Sequence, residues 1–235
     1  MTSKLLELFA GTRSIGKAFE NKGWMTYSVE WDTNFKDISL YADISTVTAD
    51  QLIELCGGRP NVIWASPDCT TYSVAGISHH RKLINGELVA TSEYAEFCDK
   101  TNKHVLELIE ELAPKYFFIE NPRGALRKMP FMVDFEKRYG AKRYTVTYCQ
   151  YGDIRQKPTD IWTNHPAPMF KLPCKPGANC HIKAPRGSRT GTQGLKGKRE
   201  RAVIPGPLCN HIASICTEKP TFKQFLLSQF IEVSQ

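Results

Sequence analysis

The run Lys4-Leu-Leu-Glu-Leu-Phe-Ala-Gly-Thr-Arg-Ser-Ile-Gly16 decides the fold of this chain. Residues 4–9 have the length and apolarity of a buried strand. Residues 10–16 are a turn of small side chains opening a helix that reaches about Lys22, with Gly23 fitting its C-cap. A short apolar strand that delivers a glycine-bearing turn to a helix begins a βαβ unit, and the small residues let a ligand approach the backbone.

Outward from this unit, strands and helices alternate. Residues 24–29, 62–65, 116–119, 144–148 and 160–163 read as strands, and residues 49–56, 92–112, 131–139, 210–216 and 221–233 as helices. Alternation of this kind predicts an α/β fold, an open Rossmann-like doubly wound sheet whose ligands sit beyond the carboxyl ends of its strands. From His165 to Pro207 the pattern breaks, with seven prolines and six glycines and no periodicity. We therefore expect a catalytic domain over residues 1–164, a small loop-rich insert over 165–203, and a helical return to the domain over 204–235.

The 235 residues suffice for one sizeable domain with a small appendage. A hydrophobic fraction of 41% and a charged fraction of 23% are those of a globular chain, which excludes a disordered one. No apolar run reaches membrane-spanning length, so no membrane association and a cytoplasmic location are expected, and the eight cysteines read as thiols or ligands instead of disulfides. The net charge of +7 is concentrated in the insert, where Lys171, Lys175, Lys183, Arg186, Arg189, Lys196, Lys198, Arg199 and Arg201 face one acid, Glu200. That distribution suits a phosphate-rich partner.

Three constellations carry chemistry. The first is a nucleotide end: the turn with Phe9, Ala10, Gly11, Thr12, Ser14 and Ile15, then Glu30 and Trp31 closing the second strand, and Asp43 with Ile44 at the end of a third. An acid at the end of the second strand can accept both hydroxyls of a ribose. The turn lacks G-x-G-x-x-G, so it fits one adenosine with a short charged tail, as in S-adenosyl-L-methionine (AdoMet), better than a pyrophosphate. The second is Ser66-Pro-Asp-Cys-Thr-Thr-Tyr-Ser73, which lifts Cys69 on a loop leaving a buried strand, where a thiol can reach a substrate. Cys56, Cys98 and Cys149 instead sit inside helix or strand patterns and read as buried thiols. The third, Phe118-Ile-Glu-Asn-Pro122, aims the Glu120 carboxyl into the same crevice.

In order, Phe9-Ala-Gly11, Glu30-Trp-Asp32, Ala42-Asp-Ile44, Pro67-Asp-Cys69 and Glu120-Asn-Pro122 resemble the motif series of the DNA (cytosine-5) methyltransferases. The likeness continues in Gln150-Tyr-Gly-Asp-Ile-Arg-Gln-Lys-Pro-Thr159 and in Arg201-Ala-Val-Ile-Pro-Gly-Pro-Leu208. The resemblance implies that Cys69 adds to carbon 6 of a cytosine flipped out of double-stranded DNA, while Glu120 binds the exocyclic amino group and protonates N3. It further implies that Phe9, Gly11, Glu30, Trp31, Asp43, Ile44 and Pro67 belong to an AdoMet site. Alternatives within the same resemblance are an RNA (tRNA) cytosine-5 methyltransferase and a non-catalytic AdoMet-binding subunit supporting an active partner.

The chain departs from the family pattern in three places. Asp68 and Thr70 flank Cys69, and an acid beside the thiol opposes its ionisation. The family's Gln-x-Arg-x-Arg segment is degenerate: an ungapped match places Lys157 and Thr159 on the arginines, whereas a shifted match places Arg155 and Lys157 there. Arg155 and Lys157 are both candidates for contacts near the nucleophile. The recognition insert is also short, and the family's C-terminal Gly-Asn segment is absent, which leaves room for a partner subunit to complete the cofactor pocket. Arg13, inside the turn, or a residue of the degenerate segment would meet the carboxylate of a modified donor. Cys174, Cys180 and His181, and separately Cys209 and His211, have zinc-capable side chains without finger spacing. From sequence alone no metal ligand is assigned.

Overall fold

The computed structural model describes residues 2–183 and 197–217. In chain order the elements are β1 (Lys4–Leu8), α1 (Ser14–Glu20), β2 (Met25–Glu30), β3 (Leu40–Tyr41), α2 (Ala49–Cys56), β4 (Val62–Ala65), α3 (Ile77–His80), β5 (Arg81–Ile84) and β6 (Glu87–Ala90). They continue with α4 (Glu93–Leu112), β7 (Tyr116–Pro122), α5 (Pro130–Tyr139), β8 (Lys142–Thr147), β9 (Pro158–Thr163), α6 (Lys198–Ala202) and α7 (Gly206–Thr217). The helix expected over 221–233 and the basic positions Arg186, Arg189 and Lys196 lie outside the described residues, as do the side chains of Lys198 and Arg199. Among the described residues no helix is long and apolar enough to cross a membrane.

The central sheet runs β3-β2-β1-β4-β7-β9-β8. Period-two alternation splits its side chains between two cores. Leu6, Leu8, Ile63, Ala65, Phe117 and Ile119 meet Leu52 of α2, Val105 and Ile109 of α4, and Phe135 of α5. Leu5, Val62, Trp64, Phe118 and Ile161 meet Ile15 and Phe19 of α1 and Leu208 and Ile212 of α7. Helices on both faces are the doubly wound architecture expected from the alternation.

The sheet is not wholly parallel. β9 runs antiparallel to both neighbours, pairing Glu120 with Ile161 and Pro122 with Thr159. This reversal positions the site: the start of β9, entered by Arg155 to Lys157, lies at the same edge as the carboxyl ends of β1, β2, β4 and β7. Residues 165–170 also differ from the expected loop insert. His165 and Phe170 are buried, the latter in the second core, because α7 returns to cover them. The hairpin β5–β6 was not anticipated from the sequence. Its Asn85-Gly86 turn takes positive φ at both residues, the geometry that lets two strands close over two residues.

Candidate active site

The cofactor turn is built on backbone geometry that few residues tolerate. Phe9, Gly11 and Arg13 all have positive φ, so alternate residues curl the chain sharply between β1 and α1. A side chain added at Gly11 would meet nothing closer than the Phe35 ring at 3.8 Å, which leaves the turn open to a ligand. Beneath it lies a residue that sequence reading missed. Glu7 is buried in β1 and accepts the Ile15 and Gly16 N–H groups at 3.2 and 2.9 Å, doing from the strand what no side chain does at the helix cap. A Cβ at Gly16 would sit 2.8 Å from Glu7 Oε2, so this glycine is required by the carboxyl under it. Burial raises the Glu7 carboxyl to about 7.

Glu30 closes β2 in a fixed orientation. Its Oε2 accepts Gly11 N–H at 2.9 Å, and its Oε1 accepts the N–H groups of Trp31 and Asp32 at 3.0 Å. A carboxylate accepts about four hydrogen bonds, so three backbone donors leave capacity for a ligand hydroxyl. Trp31 is 69% exposed and presents its ring at the strand end. Asp43 Oδ1 accepts Ser45 N–H at 2.9 Å. An acceptor at β2, an exposed indole beside it and a second acid after β3 form a set of groups that fits an adenosine, and the turn supplies the open backbone.

Other positions expected at the cofactor are placed differently. Ile15 and Ile44 are core residues whose side chains are buried, on opposite faces of the sheet. Ala10 is buried with its N–H given to Val29 O at 3.1 Å, and Thr12 and Ser14 pair their hydroxyls at 2.8 Å. The Arg13 guanidinium turns back to Glu20 and to Thr26 Oγ1 at 3.0 Å, so its role toward a donor carboxylate finds no support in this geometry.

The nucleophile loop leaves β4 and is pinned from both sides. Asn121, at the end of β7, is fully buried and donates to Pro67 O at 3.0 Å, tying the strand that carries Glu120 to the loop that carries Cys69. On the far side, Arg81 donates to Thr71 O at 3.0 Å and to both oxygens of Asp99, while Tyr72 donates its hydroxyl to Asp99 at 2.6 Å. The Arg81 guanidinium also lies 4.3 Å from the Tyr72 ring centroid. Backbone approach is as close: a Cβ at Gly76 would stand 2.2 Å from Thr70 O, and one at Gly124 2.3 Å from Tyr72 O. Arg81, Asp99 and both glycines escaped sequence reading, because their contacts arise only once the loop is folded.

Asp68 is engaged: its Oδ1 accepts Thr70 N–H at 2.6 Å, and it shares a hydrogen bond with Tyr94. It nevertheless acts on the thiol. Burial pushes Cys69 up to about 11; Glu120 and Asp68 add to the rise, and the Lys157 ammonium opposes it. Lys157 adopts φ 30, an uncommon conformation for a non-glycine residue, and its ammonium lies 4.5 Å from the Tyr148 ring and donates to Arg201 O at 3.1 Å. Burial lowers its pKa, with the Glu120 and Cys69 charges opposing that fall.

Arg155 is placed otherwise. Its guanidinium grips Asp153 and donates to Arg201 O at 3.0 Å and Val203 O at 3.3 Å, so its donors tie the turn at Asp153 to the end of the insert. Of the two candidates, it is Lys157 that the fold brings to Cys69 and Glu120. Tyr148, fully buried, donates to Glu120 Oε1 at 2.9 Å, another partner not foreseen. The two zinc-capable groups part company as well. Cys209 is buried in the second core and His211 Nε2 donates to Pro168 O at 2.7 Å, whereas Cys174, Cys180 and His181 gather around Cys149.

A mostly parallel sheet with one reversed strand, and a nucleotide turn, an acid and a thiol at its carboxyl edge, define a class I methyltransferase. The chain belongs to the C-5 cytosine-specific DNA methylase family, whose model matches residues 3–130. It is 27% identical over 167 residues to a protein of Frog virus 3 (isolate Goorha) described as a "probable DNA (cytosine-5)-methyltransferase", covering 68% of this chain and 70% of that one. Two solved structures share the fold. One is described as a "putative DNA modification methyltransferase encoded within prophage" of E. coli (14% identity, TM-score 0.52, 69% of this chain and 46% of that one). The other is the Entamoeba histolytica methyltransferase EhMeth (16% identity, TM-score 0.50, 69% of this chain and 52% of that one). The chain thus spans about half the length of those solved relatives.

Proposed function

We propose that this chain methylates carbon 5 of a cytosine in double-stranded DNA, with the base turned out of the stack and Cys69 bonded to carbon 6 during the reaction. The observation that carries this reading is the Asn121-to-Pro67 hydrogen bond, which couples the Glu120 strand to the Cys69 loop at one sheet edge. The Glu30 carboxylate, Trp31 ring and Asp43 hold AdoMet, which supplies an electrophilic methyl group when bound.

The chain's own residues do the rest. The Cys69 thiolate donates an electron pair to carbon 6, and the displaced ring electrons make carbon 5 nucleophilic. Glu120, held at Oε1 by Tyr148, keeps Oε2 for the base edge and delivers a proton to N3, so charge does not accumulate on the ring. The Lys157 ammonium favours the thiolate over the thiol. Once carbon 5 carries the new methyl group, its proton passes to water, the freed electron pair re-forms the 5–6 double bond and expels the Cys69 thiolate from carbon 6, and N3 returns its proton to Glu120. Residues 165–203, with their lysines and arginines, are assigned to phosphate contact and target recognition. The family match favours DNA over the RNA alternative, and a scaffold subunit would have no use for Cys69 and Glu120.

DNA containing 5-fluorocytosine tests the mechanism, because fluorine on carbon 5 blocks the release step. Incubation with labelled AdoMet should leave a label-bearing protein–DNA adduct that survives denaturation, and Cys69→Ala should abolish it. An adduct that persists in Cys69→Ala would remove Cys69 from the proposed role.

A further inference from the structure

Beside the proposed catalytic centre, a second cluster of thiols has no part in methyl transfer. Cys149 lies on the single turn between β8 and β9, directly after Tyr148, and Cys174, Cys180 and His181 come from the loop leading into residues beyond 183. All four ligand atoms lie within 4.8 Å of one another. The Cys180 and Cys149 sulfurs are 3.6 Å apart, and His181 Nδ1 is 3.6 Å from both Cys174 Sγ and Cys180 Sγ. Around a tetrahedral zinc, with zinc–sulfur about 2.3 Å and zinc–nitrogen about 2.0 Å, sulfurs stand about 3.7 Å apart and sulfur about 3.5 Å from nitrogen. The closest pair, Cys149 and Cys174, is 3.1 Å apart, well outside disulfide bonding distance, and all eight cysteines are free.

We propose that Cys149, Cys174, Cys180 and His181 form a structural Cys3His zinc site that fastens the recognition insert to the catalytic domain. Three further features fit a metal. The Gln156 side-chain amide lies 3.4 Å from Cys174 Sγ and the Gln150 amide 3.5 Å from Cys180 Sγ, the kind of outer contact that orients thiolate ligands. Thr147 Oγ1 accepts Cys174 N–H at 3.0 Å and Ile154 O accepts Ile182 N–H at 2.8 Å, so hydrogen bonds from the chain's own N–H groups bracket the cluster on both sides. Finally, between Phe170 and Ile204 no described residue joins either apolar core, and Leu172 and Ile182 are exposed. A segment without a core of its own gains order from a metal cross-link. Three thiolates and one imidazole with no open position make a closed site, which suits a structural ion.

The site has a defined mechanical consequence. Cys149 is joined by one peptide bond to Tyr148, which holds Glu120, so the ion would anchor the insert to the same turn that orients the catalytic carboxyl. This inference does not depend on methyl transfer, and its readout is metal content. The full chain should be produced in zinc-supplemented medium, purified under reducing conditions without chelator, and assayed for metals. We expect about one zinc per chain in the wild type, in Cys69→Ala and in Cys209→Ser, and loss of the metal in Cys180→Ser. Cobalt in its place should give the absorption of a tetrahedral thiolate site. Alkylation read by mass spectrometry needs no variant: Cys149, Cys174 and Cys180 should be protected with zinc present and become reactive when it is chelated. A wild type that stays below about one tenth of a zinc per chain after incubation with excess zinc would overturn the proposal. So would full zinc content in Cys180→Ser, or identical alkylation of the three cysteines with and without the metal.

Discussion

Tyr148 donates its phenol to Glu120 Oε1 over 2.9 Å, with both residues buried at the base of the site. The bond fixes which carboxyl oxygen faces the substrate. Its removal leaves Glu120 able to rotate without removing any group that touches the base. A hydrogen bond to a charged acceptor contributes about 1.5–3 kcal/mol, so Tyr148→Phe should lower kcat about ten- to hundredfold. The KM for AdoMet should hold, since Glu30, Trp31 and Asp43 are untouched. Steady-state kinetics with both substrates varied checks this, and an equal rise in both KM values with kcat intact would show that Tyr148 does not orient Glu120.

The nucleophile loop owes its shape to a buried ion pair. The Arg81 side chain is fully buried and its charge is balanced by Asp99 alone among the ion pairs of the described residues. Removing one partner of such a pair strands the other in a poorly solvating interior, at about 3–5 kcal/mol. Asp99→Asn should therefore destabilise the protein by that order, read as a fall in the urea midpoint with little change in slope. Because Thr71 and Tyr72 share the network, methyl transfer should fall even where the variant remains folded. An unchanged midpoint would mean that the loop is held elsewhere.

The legible parts of the sequence were those with short-range signals. The β1 turn and the long period of α4 announced their elements from local pattern. Cys69 and Glu120 were visible because each ends an apolar run at a strand terminus. What stayed hidden depends on partners far apart in the chain. Arg81 and Asp99 carry no local signal; only the fold buries Arg81 and brings a partly buried Asp99 against it beside Thr71 and Tyr72. Cys149 reads as a buried thiol because the other three ligands come more than twenty residues later. Glu7 sits in an apolar strand, with nothing nearby in sequence to announce the helix N-terminus it caps.

Glu7 and His165 carry opposite pH signatures in overlapping windows. Burial raises Glu7 from 4.5 to about 7, so between those pH values the folded chain keeps a proton that the unfolded chain has released. Folding therefore weakens as pH rises through that window. Burial lowers His165 from 6.5 to about 4, so between about pH 4 and 6.5 the unfolded chain holds the extra proton, and folding strengthens as pH rises. Each shift corresponds to about 3 kcal/mol, and in the wild type the two nearly cancel between pH 4.5 and 6.5. Glu7→Gln should expose a gain of roughly that size across this window, and His165→Gln a loss. Urea midpoints for the three proteins, at half-unit pH steps, test this. Parallel pH profiles would show that neither group titrates as its burial dictates.

The Cys69 thiol itself offers the most direct reading of its surroundings. At about 11 instead of the ordinary 9, its thiolate population near pH 8 is about a hundredfold below that of an exposed thiol. In the free protein, iodoacetamide should accordingly modify Cys69 far more slowly than a cysteine peptide, with a rate that climbs about tenfold per pH unit up to pH 10. The neighbouring charges predict the direction of two variants. Lys157→Met removes the cation that opposes the rise and should slow the reaction further, whereas Glu120→Gln removes a neighbouring negative charge and should speed it. Quantifying the modified peptide by mass spectrometry separates ionisation from access, since a purely steric block would leave both variants at the wild-type rate and flatten the pH profile. Equal rates in all three proteins would mean that Lys157 and Glu120 do not govern the thiol, and Lys157 would lose its place beside the nucleophile.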